Sequence, residues 1–171
     1  NGVVKIDATV STISSVAGNP SDWTKDSVTL TVNASDAASG LAAEAYSFDG
    51  GSTWQTENTK TYDVNTNGIV IKVKDNAGNI ATYSTIDITK IDKTAPQNAV
   101  IGNASSYVDG KWFNEDQTIN ASFTSTAGCS ERLQYKVYTA ATENTAVWKD
   151  GESVAINAEG QYIVSFRVID Y

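Results

Sequence analysis

The sequence predicts an all-β protein built as two β-sandwich modules in tandem. Three observations carry that prediction. Apolar residues recur with a period of two, the strand period, in one segment after another. Clusters of Gly, Asn, Asp and Pro punctuate those segments at short intervals. The chain also repeats itself: Lys5-Ile6-Asp7 returns as Lys90-Ile91-Asp92. Trp23, Leu30 and Tyr46 overlie Trp112, Ile119 and Tyr135 at a constant offset, since 112−23, 119−30 and 135−46 all equal 89. Self-similarity on this scale marks a modular array rather than an enzyme folded around one active site.

In the first module the pattern predicts strands near residues 8–15, 27–34, 43–48, 53–57, 60–64, 68–75 and 80–89. Val28, Leu30 and Val32 alternate with Ser27, Thr29 and Thr31, as an antiparallel strand does with one face buried and one wet. Ile69, Ile71 and Val73 alternate with Val70, Lys72 and Lys74, and Ile86 and Ile88 with Thr85, Asp87 and Thr89. Gly18-Asn19-Pro20, Asp49-Gly50-Gly51, Asn67-Gly68 and Asn76-Ala77-Gly78-Asn79 supply the turns. In the second module Ile119, Ala121 and Phe123 form one alternating run. Leu133, Tyr135 and Val137 form another, and Tyr162, Val164, Phe166 and Val168 a third. Asp109-Gly110 supplies a turn there, and no segment makes a convincing amphipathic helix. The seven short strands of the first module match the immunoglobulin count, so it reads as an immunoglobulin-like sandwich, and the repeat extends that reading to the second. The inter-sheet disulfide of antibody domains is ruled out, because Cys129 is the one cysteine. It overlies Gly40, a loop position, and reads as a chance free thiol.

The expected modules are residues 1–92 and 93–171, joined by a short linker around Lys90 to Pro96. Proline stiffens that linker, which predicts a near-rigid rod. Trp54 overlies Trp148 at an offset of 94, so the second module carries about five more residues in its central hairpin. Asp75 overlies Asp170 at 95, which places the equivalent of strand 80–89 past residue 171. The second module is therefore expected to lack its final strand and to leave a sheet edge open.

The net charge is −8. Residues 1–93 hold 7 basic and 11 acidic side chains and residues 94–171 hold 5 and 9, so each module carries −4. No basic patch exists to neutralise phosphates, which argues against nucleic acid and anionic membranes as partners. No apolar run reaches the length of a membrane span, and no targeting segment is visible.

The order of motifs carries a family resemblance. Asp36-Ala37-Ala38-Ser39-Gly40 precedes Tyr46-Ser47-Phe48-Asp49-Gly50-Gly51-Ser52-Thr53-Trp54. Asn67-Gly68, Val73-Lys74-Asp75-Asn76-Ala77-Gly78-Asn79 and Lys90-Ile91-Asp92-Lys93-Thr94-Ala95-Pro96 follow. This order resembles the immunoglobulin-like repeats of large Gram-positive surface and secreted proteins, in which a D-x-A-G-N turn, one strand and a D-x-T-A-P junction close each module. The resemblance covers nearly all of module one. Module two keeps the Asp-Lys-Thr-Ala-Pro entry but departs at the Asp-Gly-Gly hairpin. The resemblance implies an extracellular stalk, spacer or adhesion segment. Its partners would be neighbouring modules of the same chain and, for adhesion, a host or cell-wall glycan or protein.

Candidate chemistry is sparse. Ser47-x-Asp49-x-Gly51-x-Thr53-Trp54 fits the Asp-box of sialidase-type propellers, but such an enzyme needs several arginines and this chain has only Arg132 and Arg167. A hairpin device explains the same residues: the Asp accepts turn amides and the Gly supplies positive φ. No histidine, phosphate loop or carboxylate pair across a cleft is evident, so no enzyme activity is expected. Asp7, Asp75, Asn76, Asn79 and Asp92 lie near the expected module ends and offer oxygen ligands of the kind Ca²⁺ takes, although their spacing matches no EF-hand. No other cofactor is implied. Trp54, Tyr107, Tyr138 and Trp148 are the candidates for stacking on a sugar, as in a carbohydrate-binding accessory module of a secreted glycan-degrading enzyme. The recurrence of Trp23 as Trp112 and of Trp54 as Trp148 argues for packing instead.

Overall fold

A computed structural model describes residues 2–102, 108–125 and 129–170. They contain strands, turns and one short 3-10 segment, with no α-helix. The chain divides into two compact units, Asn1–Lys93 and Thr94–Tyr171.

Unit 1 contains β1 (Thr12–Ala17), β2 (Val28–Ser35), β3 (Leu41–Ser47), β4 (Thr59–Tyr62), β5 (Thr66–Ile69), β6 (Lys72–Asp75), β7 (Ile80–Thr82) and β8 (Ile86–Ile88). They pair antiparallel in the orders β1-β2-β4, β3-β6-β7 and β5-β8. The alternation in β2 does what the sequence requires: Val28, Leu30 and Val32 point into the core at 4%, 0% and 0% exposure. They meet Phe48, Ile69, Ile71, Val73, Ile88 and Ile91 in one buried cluster.

Three expected strands are revised. Residues 53–57 form no strand; that stretch leaves the Asp49 turn and touches β3 through one bridge, Tyr46↔Gln55. Residues 68–75 break after Ile69, so that β5 pairs with β8 while β6 pairs with β3 and β7. Residues 80–89 break at the matching level, where the Tyr83 amide donates to the Ile71 carbonyl at 2.9 Å. Both segments change sheet together, as strands do at the corner between two layers.

Unit 2 contains β9 (Val100–Gly102), β10 (Gln117–Ser122), β11 (Arg132–Tyr138), a 3-10 turn at Glu143–Thr145, β12 (Lys149–Asp150), β13 (Ser153–Ile156) and β14 (Ile163–Ile169). The sheet orders are β13-β10-β9 and β12-β11-β14. Its pairing repeats that of unit 1. Ile119 faces Val154 as Leu30 faces Lys60, and Tyr135 faces Lys149 as Tyr46 faces Gln55. The offsets are the 89 and 94 of the sequence repeat (119−30, 135−46; 154−60, 149−55). Among the described residues β14 is an edge strand, whereas β6 has a neighbour on each side.

Candidate functional site

The one grouping of three carboxylates among the described residues forms where the chain enters unit 1. Asp7, Asp36 and Asp75 each place an oxygen within 4.8 Å of the others. Local structure delivers them. β2 runs out into Asp36, whose Oδ1 accepts the amides of Ala38 (3.1 Å), Ser39 (2.9 Å) and Gly40 (2.7 Å), the turn that Asx residues form by bonding to backbone just ahead. β6 ends in Asp75, only 1% exposed, whose carboxylate accepts the Asn79 amide and the Asn79 side-chain Nδ2, both at 2.8 Å. Asp7 accepts Thr9 N–H (3.0 Å) and O–H (2.7 Å) through Oδ1 and the Ser39 amide (3.1 Å) through Oδ2. Hydrogen bonds from Ser39, then from Thr9, hold the Asp7 carboxyl down at about 2 against an ordinary 3.8. Asn76 Nδ2 staples the assembly by donating to the Ser39 and Leu41 carbonyls at 2.9 and 3.1 Å.

Three carboxylates this close present hard oxygens of the kind a divalent cation takes, and the same oxygens are also acceptors for turn amides. Of the residues named for calcium from the sequence, Asp7 and Asp75 meet here. Asn79 bridges them, donating also to the Asp7 carbonyl at 3.2 Å. Asn76 turns its amide to backbone. Asp92 is not in the group: its amide donates to the Thr24 carbonyl at 2.9 Å, at the far end of β2. Asp36 is the member the sequence did not disclose. It stands 29 residues from Asp7 and 39 from Asp75 (36−7, 75−36), spacings that match no local motif.

The chain leaves unit 1 through a second set of bonds. The Thr24 amide donates to Lys90 O (2.9 Å), and Ile91 exchanges two bonds with the Asn65 side chain (2.8 and 3.0 Å). Lys93 Nζ reaches Ser27 Oγ and Asp63 Oδ1, both at 3.2 Å. The Ser27 hydroxyl and then Lys93 hold the Asp63 carboxyl below its usual range.

The Asp49 hairpin is a turn device in its geometry. Asp49 Oδ1 accepts Thr53 N–H at 2.9 Å, and its other oxygen takes the Thr53 hydroxyl. Ser47 Oγ donates to Asp49 and accepts the Gly51 amide, both at 2.8 Å. Bonds from the Thr53 hydroxyl, the Thr53 amide and Ser47 lower the Asp49 carboxyl strongly. Gly50 and Gly51 take φ of +74° and +95°, as the turn demands.

The aromatic candidates are differently placed. Trp54 is half-buried with Lys74 Nζ 4.3 Å from its ring centre. Trp148 lies under Arg167 (4.2 Å) and Lys136 (5.3 Å). Tyr138 is 9% exposed and shares a 3.1 Å hydrogen bond with Ser165, so its ring offers a sugar no free face. Tyr107 lies outside the described residues. Trp112 overturns its expected packing role: it is 79% exposed, whereas its counterpart Trp23 is half-buried with Lys90 Nζ 4.9 Å from its ring centre. Cys129 is buried.

No family model, curated protein or solved structure matches this chain.

Proposed function

We propose that this chain is a non-catalytic, immunoglobulin-like repeat segment of a bacterial surface or secreted protein, acting as a stalk or spacer. The observation that supports the reading is the path of the chain through unit 1. Thr12 pairs with Ser35, and Asp7 is tied to the Asp36–Gly40 loop, so the entry sits at the C-terminal end of β2. Lys93 is tied to Ser27, and Asp92 to Thr24, so the exit sits at its N-terminal end. Between them lie the seven steps from Val28 to Ser35, about 24 Å of strand. A module that enters at one pole and leaves at the other, with both ends pinned by side-chain bonds, extends a chain instead of folding it back. Such a module also carries tension through the bonds between its strands.

The reading is tested by single-molecule pulling through the chain termini. A spacer gives one cooperative unfolding event for unit 1, weakened when Asn65→Ala removes the clamp on Ile91. Extension without a force peak would sink the proposal. So would a reproducible glycan-array signal lost on Trp148→Ala, which would make the chain a carbohydrate-binding module.

A further inference from the structure

Unit 1 carries a chemically reactive pair of residues in the middle of a strand. Beyond residues 1–2, Asn67-Gly68 is the only Asn-Gly pair of the chain. It lies in β5, which meets β8 through Thr66↔Ile88 and Ile69↔Ile86. Asn67 and Gly68 therefore stand opposite the single residue Asp87, which makes a β-bulge. All three are exposed, whereas the adjoining Ile69 and Ile88 are 4% and 0% exposed in the core. The repeat does not demand the pair: Ile69-Val70 return as Ile163-Val164 at an offset of 94, where Gln161-Tyr162 replace Asn67-Gly68.

An asparagine before glycine can react with its own backbone, because glycine puts no Cβ in the path of attack. The Gly68 nitrogen gives its proton to solvent and bonds to Asn67 Cγ. The Cγ–Nδ2 bond breaks and ammonia leaves. Water then opens the five-membered imide at either carbonyl, giving an aspartyl or an isoaspartyl residue. Water is the one co-reactant. The surroundings leave room for the ring, since nothing lies within 4 Å of the place a Cβ would take on Gly68.

In the folded chain the attacking nitrogen is engaged. The Gly68 amide donates to Asp87 Oδ1 at 2.7 Å. A carboxylate accepting that proton favours the protonated amide, and its charge opposes the amide anion that must form. The pairings at Thr66 and Ile69 hold the backbone on either side of the pair. Asn19 Nδ2 donates to the Asp87 carbonyl at 3.0 Å and steadies the strand that presents the carboxylate.

We propose that Asn67 is a site of spontaneous deamidation, held closed by the Gly68–Asp87 bond for as long as β5 stays paired with β8. Parting of the two strands releases the amide and starts the reaction. The product cannot revert, and it weakens the pairing that restrained it. An aspartyl residue sets a second carboxylate against Asp87, and like charges facing each other destabilise a strand pair. An isoaspartyl residue lengthens the main chain inside β5 and disturbs the register that keeps Ile69 in the core. The inference concerns unit 1 alone and stands independently of the stalk reading.

The test is incubation of the whole chain at neutral pH and physiological temperature. Peptide mapping follows the gain of about one mass unit at Asn67 and the isoaspartyl product. The folded wild type should convert about tenfold or more slowly than a synthetic peptide of residues 63–71. Asp87→Ala should raise the rate about tenfold, and Asp87→Asn, which keeps an uncharged acceptor oxygen, should fall between. Asp36→Ala weakens unit 1 from elsewhere and leaves the Gly68–Asp87 bond in place, so its rate should stay within about twofold of wild type while the unit is folded. Wild type converting as fast as the peptide overturns the proposal. So does an Asp87→Ala rate that is unchanged, or slower, as it would be if Asp87 served as the base. Equal acceleration by Asp36→Ala and Asp87→Ala also overturns it, since general stability alone would then set the rate.

Discussion

Replacing Asp36 by Ala and by Asn separates the two roles its carboxylate can have. One oxygen, Oδ1, accepts all three turn amides, at 2.7 to 3.1 Å. Ala removes the acceptor. A hydrogen bond to a charged group contributes about 1.5–3 kcal/mol net, but three donors sharing one oxygen do not add. The Ala38 amide lies in an exposed bond and can turn to water. The expected loss for Asp36→Ala is therefore about 2–3 kcal/mol, which lowers the melting temperature of unit 1 by about 10 °C or more. Asn keeps a carbonyl oxygen at the same place. It also removes one of three negative charges whose oxygens lie within 4.8 Å of one another, which offsets the weaker neutral acceptor. Asp36→Asn should stay within about 1 kcal/mol of wild type. Calorimetry on both variants, supported by amide exchange at Leu30 and Val73 as reporters of unit 1, measures the difference. If Asn costs as much as Ala in metal-free buffer, the turn-acceptor reasoning is wrong and the negative charge itself is required. If the cost of Asn appears only when Ca²⁺ is added, the cluster is a cation site.

Acid should destabilise unit 1 over a defined window. The Asp7, Asp49 and Asp63 carboxyls are all lowered in the folded state, so their contribution is complete above the unfolded value near 3.8 and is lost as pH falls through the folded values, about 2 for Asp7. Urea midpoints should be flat from neutral pH to about 5 and fall steeply between about 4 and 2, and a profile flat to pH 2 would contradict the assignment. Gly18 has φ of +100°, and a Cβ there would overlap the Thr29 carbonyl oxygen. Gly18→Ala should cost about 3 kcal/mol or more, read by the same midpoint, where an ordinary exposed turn would lose less than one. Tyr138→Ala should lower the stability of unit 2 by about 2–4 kcal/mol, as truncation of a buried aromatic does. Unchanged unit 2 stability would place the ring at the surface.

The strands were legible where one face is buried and the other wet. β2 and β10 need only the alternation of their own side chains; in β14 both faces are partly covered and no residue is fully buried. The breaks after Ile69 and at Tyr83 were hidden because the apolar pattern continues through them; what changes is the neighbouring strand, which local sequence does not carry. Tyr138 falls on the side of β11 that alternation assigned to solvent, with Gln134 and Lys136. It is buried because Ser165 meets its hydroxyl, with Lys136 Nζ 4.6 Å from its ring centre. The carboxylate cluster was half legible: Asp75 belongs to a recognisable turn and Asp7 to the entry. Asp36 joins them only through the pairings Thr12↔Ser35 and Leu41↔Asp75, which bring distant segments to one end of the sheets. Recurrence at an equivalent position implies equivalent burial, but burial depends on what covers the ring, and Trp112 is 79% exposed.

The proposed spacer role requires the chain to enter and leave unit 1 at opposite ends of β2. Spin labels at Ala38 and Val64, both exposed, report on those two ends directly. Electron–electron resonance should give a separation of about 25–30 Å, narrow in distribution, from the rise of the intervening strand. A separation under about 15 Å would put entry and exit at one end, and unit 1 could not serve as a spacer.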